Sequence, residues 1–307
     1  MVSKRLLDCT ASDFAQMTGQ DLKQAIKASE GRSLIAEVIS ATPPLYPSVT
    51  NAELAAAFGA DMILLNFFDV QSPCIKGLPD CRPKEVVHLL KRLTGRPVGL
   101  NLEPVDPHAR QAEELSVLPP GRLATAETFS LAKQLGFDFV CLTGNPKTGV
   151  TNSEIEGAIR TARAVMGAEM LVIAGKMHGA GVEGETGGCL VAEEAIQRFA
   201  EAGADIILLP SPGTIPGITL DVAKKLVDLV HAQGAMALLA TGTSQEGSDE
   251  ATIRQIALHS KMAGADLYHI GDAGYSGIAI PENIMHYSIT VRGKRHTYVR
   301  MASSVIR

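Results

Sequence analysis

A lysine and a histidine stand two residues apart where an apolar run of the sequence ends. Lys176 and His178 follow the run 170–175. A lysine at the inner end of a strand is partly desolvated, and this lowers the pKa of its amine. Such an amine can form a Schiff base, act as a base or hold an anionic substrate. A structural ion pair with Glu103 or Glu37 is the alternative. His178 is the candidate proton carrier.

Two carboxylates stand at the ends of other apolar runs. Glu37 ends the first run, and Glu103 follows Asn101 by two residues, so that both side chains of the third run point to the same side. Carboxylates in this position can exchange protons, and together with His178 they can bind Mg²⁺ or Mn²⁺. We therefore predict that Lys176, His178, Glu37 and Glu103 are catalytic and that Glu37 and Glu103 are the candidate metal ligands.

Polar residues or glycines follow every other apolar run as well. Hydroxyl groups and open backbone amides after the seventh and eighth runs suit a phosphate or another anion, although Asp272 would repel it unless this side chain faces away or meets a metal. The predicted substrate-binding residues are Asn66, Asn101, Thr143, Asn145, Ser211, Thr241, Thr243, His269, Gly271, Asp272 and Gly274. The six glycines in 175–188 indicate a lid over the substrate, or simply a flexible connection.

A repeated sequence pattern indicates the strands and helices that position these residues. A glycine ends a helix-like stretch, and a Gly-x-Asp phrase then precedes an apolar run at Asp61, Asp138, Asp205 and Asp266. Four variants of the phrase lie between them. The eight predicted strands are 33–40, 62–67, 97–103, 139–143, 170–175, 205–210, 236–241 and 266–271.

These strands are continuously apolar, which is typical of strands buried on both faces. Eight strand–helix units therefore predict a (β/α)8 TIM barrel, with an N-terminal helical extension at 1–31, the barrel at 32–292 and a C-terminal segment packed on it at 293–307. The segments from strand to helix are the long ones, and in this fold they build the active-site face. The basic cluster of Arg292, Lys294, Arg295 and Arg300 is predicted to be a solvated terminal turn.

Composition excludes several classes of function. The formal net charge is −5 and no basic surface suited to nucleic acid is visible. No apolar run approaches the roughly 20 residues that a membrane span needs. The N-terminus has no signal-peptide pattern, so we expect a cytoplasmic protein, with its five cysteines reduced. The helical extension and the basic C-terminus suit a homo-oligomer.

Two stretches carry a resemblance to known families. Asn66-Phe67-Phe68-Asp69, together with Thr143-Gly144 and Thr148-Gly149, resembles BtpA-like barrels, whose biochemical role is poorly defined. The chain as a whole resembles a bacterial TIM-barrel family loosely labelled phosphoenolpyruvate phosphonomutase-like. That resemblance implies Mg²⁺ and acidic strand-end residues that make or break C–C or C–P bonds beside a carboxylate. The usual Asp-x-Asp motif of that superfamily is absent here, so no catalytic role is carried over.

The predicted function is that of an enzyme of lyase or isomerase type that acts on a small anionic metabolite, a carboxylate or a phosphate, at the carboxyl-terminal mouth of the barrel. A barrel that binds a ligand without catalysis is one alternative. A metal-dependent hydrolase is another, for which His178, His269 and Asp272 are the available ligands.

Overall fold

Eight parallel strands close into a barrel in the order of the sequence. A computed structural model of the chain describes residues 4–185, 190, 192–272, 274 and 276–307, so the predicted lid is described only up to residue 185. The (β/α)8 prediction is confirmed. The strands are β1 (Ser33–Ile39), β2 (Met62–Asn66), β3 (Val98–Leu102), β4 (Phe139–Leu142), β5 (Leu171–Gly175), β6 (Ile206–Pro210), β7 (Met236–Thr241) and β8 (Leu267–Ile270).

Helices follow each strand and also precede the first. Four barrel helices begin at a threonine whose side chain accepts a backbone N–H three residues on, the usual N-cap. The helices of the described part are α1 (Ala11–Phe14), α2 (Gly19–Ala28), α3 (Asn51–Ala57), α4 (Val86–Thr94), α5 (Ala126–Leu135), α6 (Asn152–Met166), α7 (Glu193–Ala202), α8 (Leu220–Ala232), α9 (Glu250–Met262) and α10 (Pro281–Met301). None of these helices is long and apolar enough to cross a bilayer.

The barrel interior is filled by every second residue of each strand. The inward side chains include Ile35, Leu64, Phe139, Ile173 and Leu208, and all are buried. Gly99 leaves space for Phe139, because a Cβ there would lie 2.3 Å from that ring. Residues of the N-terminal extension join the same cluster, namely Leu6, Phe14, Leu22 and Ile26. The extension therefore closes the amino-terminal end of the barrel, opposite the mouth.

The Gly-x-Asp repeat has a structural role at that closed end. Each aspartate immediately precedes an even-numbered strand, and its carboxylate accepts an N–H from the first or second residue of the preceding odd-numbered strand. The four bonds run from Leu34 to Asp61 (2.8 Å), Val98 to Asp138 (2.8 Å), Val172 to Asp205 (3.0 Å) and Ala237 to Asp266 (2.8 Å). Each carboxylate also contacts a cationic or imidazole side chain. The role of the repeat is therefore structural, because these bonds fix the register between neighbouring strands.

The C-terminal basic cluster is not the solvated turn that the sequence predicted. Arg292 and Arg300 are buried in α10 and both pair with Asp61, at 2.5 Å and 2.7 Å. The helix kinks at Gly293, where φ is 77°. That prediction is wrong for these two arginines because Asp61, which is distant in sequence, supplies a buried counter-charge. Lys294 and Arg295 are exposed, as expected.

Candidate active site

A cavity of about 570 Å³ opens at the carboxyl ends of the strands. Nine of the predicted site residues line it, namely Glu37, Asn66, Thr143, Asn145, His178, Thr243, Gly271, Asp272 and Gly274. The long loops after β4, β5, β7 and β8 form most of the wall. The loop after β5 contributes 177–182, which lie within the described part of the predicted lid. The mouth of the barrel is thus the place where the predicted residues converge.

Six other predicted residues do not line the cavity. Asn101, Glu103 and His269 are buried beside or beneath the lining residues. Lys176, Ser211 and Thr241 point away from the axis, because their positions alternate with inward-facing ones and match Ala174, Leu209 and Leu239 of the outer core. Ser211 Oγ and Thr241 Oγ1 lie 3.3 Å apart in that outer layer.

A carboxylate–imidazole pair lies at the floor of the cavity. Glu37 Oε2 accepts a hydrogen bond from His269 Nε2 at 3.1 Å, and Glu37 Oε1 accepts one from Asn66 Nδ2 at 3.1 Å. Because a carboxylate only accepts, the proton of His269 is on Nε2. Its Nδ1 has no hydrogen-bond partner within the described part of the chain. Glu37 is therefore held in one orientation by a buried histidine below it and an amide beside it.

An amide pair links the ends of β2 and β4. Asn66 and Asn145 exchange two hydrogen bonds, at 2.7 Å and 3.0 Å. The backbone N–H of Asn145 donates to Glu103 Oε2 at 2.9 Å. Arg122 donates to the other oxygen of Glu103 at 2.5 Å. Glu103 thereby positions the loop after β4 instead of facing a ligand.

Arg122 was not singled out from the sequence. Its guanidinium lies 4.0 Å from the centre of the Phe67 ring, and the backbone of Phe67 has a φ of 56°. The residue belongs to the long loop after β3, which Glu103 begins 19 positions earlier, whereas Phe67 comes from the loop after β2. No spacing within the sequence connects it to Glu103 or to Phe67.

Glu37 and Glu103 are not arranged as two ligands of one Mg²⁺ or Mn²⁺ ion. Both oxygens of Glu103 are bonded to protein donors, namely Arg122 and the backbone N–H of Asn145. Glu103 is also outside the cavity wall. Nowhere in the described ranges do three or more His, Cys, Asp or Glu side chains form a group that could hold a metal ion. We therefore derive no step through a metal.

Lys176 is an anchor beneath the loop after β5. Its amine donates to the carbonyl oxygen of Val150 at 2.8 Å and to Glu185 Oε2 at 2.6 Å. Burial lowers the pKa of Lys176, while the Glu185 carboxylate opposes that shift. Glu185 also accepts the N–H of Asn152 at the start of α6 with both oxygens, each at 3.2 Å. The partner of Lys176 is thus Glu185, and not Glu37 or Glu103.

His178 faces the cavity as a neutral imidazole. Its Nδ1 accepts the backbone N–H of Ala180 at 3.1 Å, which leaves the proton on Nε2. Burial, followed by the nearby charge of Lys176, lowers the pKa of His178. The ring therefore presents an N–H donor near neutral pH.

Acidic residues dominate the charged lining. Besides Glu37 and Asp272, the wall contains Glu113 and Glu246, which sequence reasoning missed. Burial and the charge of Glu37 raise the pKa of Asp272. Glu113 lies 3.4 Å from Lys147, and both side chains are about half exposed. The described lining contains no lysine or arginine.

Comparison with solved structures gives the same architecture. An archaeal fructose 1,6-bisphosphate aldolase is 17% identical, with a TM-score of 0.55, covering 87% of this chain and 96% of its own. A Schiff base-forming fructose-1,6-bisphosphate aldolase is 16% identical, with a TM-score of 0.54 and the same coverage of 87% and 96%. At such identities the similarity establishes only the fold.

A weaker structural match is 2,3-dimethylmalate lyase, a member of the PEP mutase/isocitrate lyase superfamily. It is 13% identical, covers 85% of this chain and 81% of its own, and has a TM-score of 0.49, which is too low to support an argument. No curated protein matches the sequence. The matching family model bears neither of the family names that the motifs suggested. Residues 7–307 match the domain of unknown function DUF7916, and the chain belongs to that family.

Proposed function

We propose that this protein is an enzyme of lyase or isomerase type that moves a proton on a small polar metabolite bound in the mouth of the barrel. The observation that carries the proposal is the Glu37–His269 pair. In this pair the carboxylate of Glu37 lies on the wall of the cavity. Its Oε2 accepts a hydrogen bond at 3.1 Å from Nε2 of the buried His269. A carboxylate held in this way is suited to general base catalysis.

In this proposal, neighbouring groups stabilise the charge that develops when the proton is removed and hold the base in place. Removal of a proton from the carbon beside a carbonyl leaves negative charge on the carbonyl oxygen. This step begins an isomerisation, and its reverse ends an aldol-type cleavage, in which the enolate left by C–C bond breakage takes up a proton on that carbon. In the proposal Glu37 takes the proton, and the Nε2–H of His178 donates a hydrogen bond to the developing oxyanion. Asn66 keeps the carboxylate of Glu37 in place through its 3.1 Å hydrogen bond.

Lys176 and Glu103 act as positioning residues in this scheme. The buried amine of Lys176 is bonded to Glu185 and to Val150, outside the cavity wall. Glu103 holds the backbone of Asn145. The proposal therefore uses no Schiff base on Lys176, although the aldolase named above forms one on its own chain.

Solvent exchange tests the proton transfer without knowledge of the full reaction. Dihydroxyacetone, dihydroxyacetone phosphate and D-glucosamine would be incubated with the protein in D₂O, and loss of the C–H signal beside the carbonyl would be followed by proton NMR. We expect exchange with at least one compound. Glu37→Gln should slow that exchange by about 10²- to 10⁴-fold, the usual contribution of a general base.

The matched control is Glu201→Gln, which changes an exposed carboxylate on α7 that accepts a hydrogen bond from Gln197. This variant should exchange at the rate of the unmodified protein. Exchange that is equally fast in Glu37→Gln refutes the assignment of the base. Binding of a compound without any exchange refutes the enzyme proposal and favours a barrel that binds its ligand without catalysis.

A further inference from the structure

The charge of the cavity wall has one sign. Four carboxylates line it, namely those of Glu37, Glu113, Glu246 and Asp272, whereas the described lining contains no lysine or arginine. The internal residues outside the described ranges are 186–189, 191, 273 and 275, and the sequence places no lysine, arginine or histidine at any of them. A basic side chain at these loop positions is therefore excluded by composition.

These carboxylates differ in the ion pairs and hydrogen bonds that they already form with other groups of the protein. Glu113 pairs with Lys147 at the rim. Glu37 is bonded to Asn66 and to His269. Asp272 accepts the N–H of Gly274 at 3.2 Å, and no side chain among the described residues donates a hydrogen bond to it. The charge of Glu37 also raises the pKa of Asp272, which places the two carboxylates within electrostatic reach of each other.

A second, independent feature of the wall points to a ligand. Thr143 lines the cavity and is only 4% exposed, yet its Oγ1 has no hydrogen-bond partner in the described part of the chain. A buried hydroxyl without a partner is unfavourable, and a ligand hydroxyl in the cavity would satisfy it. The site therefore has an unused polar group for a neutral oxygen as well as unused negative charge.

We infer that the cavity binds a metabolite that carries a protonated amine on a hydroxyl-bearing carbon frame. The ammonium group lies against Asp272 and Glu37, and a hydroxyl group bonds to Thr143. A bare phosphate or carboxylate would instead meet carboxylates of its own sign in a partly desolvated cavity. The inference deepens the proposed function, because it concerns the substrate of the same cavity and rests on that cavity being the active site.

Three probes with one six-carbon frame separate the effect of charge from that of shape. They are 1-amino-1-deoxy-D-glucitol, D-glucitol and D-gluconate, which end in an ammonium, a hydroxyl and a carboxylate group. Calorimetric titration at low ionic strength and near neutral pH would measure their affinities. We expect the amine to bind about 10- to 100-fold more tightly than D-glucitol, the range for a hydrogen bond between charged groups. D-gluconate should bind most weakly.

Variants then locate the charge. Asp272→Asn should reduce the affinity for the amine to nearly that for D-glucitol, while the affinity for D-glucitol itself changes less than about threefold. Asp228→Asn, on the outer helix α8 where Asp228 pairs with exposed Lys224, is the control and should leave the order of the three probes unchanged. A preference for D-gluconate, equal binding of all three, failure of the amine to bind, or an unaltered preference in Asp272→Asn overturns the inference.

The two proposals fail in different ways. If exchange occurs with dihydroxyacetone phosphate but the amine is not preferred, the inference about charge is wrong and the proposed proton transfer stands. If the amine binds as expected but no compound exchanges, the cavity recognises a cation and the proposed chemistry is wrong.

Discussion

Removal of the buried carboxylate of Asp61 should destabilise the barrel more than any other single change in the Gly-x-Asp repeat. Asp61 is fully buried and pairs with Arg292 and Arg300, which are 0% and 2% exposed. Burial alone would raise the pKa of Asp61, but these guanidinium groups hold it below its ordinary value. Asp61→Asn keeps an oxygen that can accept the N–H of Leu34, so the variant removes charge with little change of shape.

The size of the expected destabilisation follows from the two guanidinium charges that Asp61→Asn leaves without a counter-charge. Breaking a buried ion pair by removal of one partner costs about 3–5 kcal/mol. Asp266→Asn is the matched control, since Asp266 accepts the equivalent backbone N–H at 2.8 Å but pairs with His231, whose side chain is 41% exposed. An exposed pair contributes at most about 1 kcal/mol. The two variants should therefore differ by about 2–4 kcal/mol.

Urea unfolding, followed by far-ultraviolet circular dichroism and by tyrosine fluorescence, would measure the free energy of unfolding. Coincidence of the two transitions tests whether a single free energy is defined. Because the folded pKa of Asp61 is depressed, its stabilisation is complete above the unfolded value of 3.8 and is lost as the pH falls through the folded value. Asp61→Asn should therefore flatten the acid limb of the stability curve.

Equal destabilisation by Asp61→Asn and Asp266→Asn would refute this reasoning. If Asp61→Asn does not fold, the double variant Asp61→Asn/Arg300→Met provides the test, because it removes one of the two stranded guanidinium groups. The double variant should be more stable than Asp61→Asn, whereas Arg300→Met alone should destabilise the original protein. Additive effects of the two changes would also contradict the proposed coupling.

Three further predictions concern the loop after β5. Lys176→Met should reduce stability by about 1–3 kcal/mol, because Glu185 loses its cation, whereas Lys133→Met, at an exposed pair with Glu169, should have almost no effect in the same urea experiment. Cyanoborohydride and dihydroxyacetone phosphate should leave no adduct on Lys176 in peptide mass spectra, and an adduct there would restore the Schiff-base alternative. NMR titration of the His178 ring, assigned with His178→Gln, should give a midpoint below the ordinary value of 6.5, because burial and Lys176 disfavour the charged ring. A midpoint above that value would remove the basis for a neutral donor in the cavity.

The sequence by itself determined the order and the approximate limits of the eight strands. Predicted strand 236–241 matches β7 at both ends, and the other predicted strands differ from the structure by a residue or two. The signals are local, because glycine alone readily takes the left-handed turn that ends α5 at Gly136, where φ is 86°. Strands buried on both faces must likewise be apolar throughout. These constraints act within a few residues, so they can be read along the chain.

The site could be predicted in outline for the same reason. The carboxyl ends of parallel strands meet at one mouth, so the polar residues that end them had to gather there, as Glu37, Asn66, Thr143 and Asp272 do. The direction of each side chain beyond the end of a strand was harder to predict from the sequence. Lys176 follows Gly175 and alternates outwards, which moves its amine away from the cavity.

Only the tertiary structure decided which charges meet. Lys176 meets Glu185, Glu103 meets Arg122, and Asp61 meets two arginines of α10 that lie more than 200 positions away. Charged groups carry no local pattern that identifies their partners, and the energy of a pair depends on burial and on distances of a few ångströms. Backbone preference and hydrophobic periodicity are properties of neighbouring residues, whereas electrostatic pairing is a property of the folded chain.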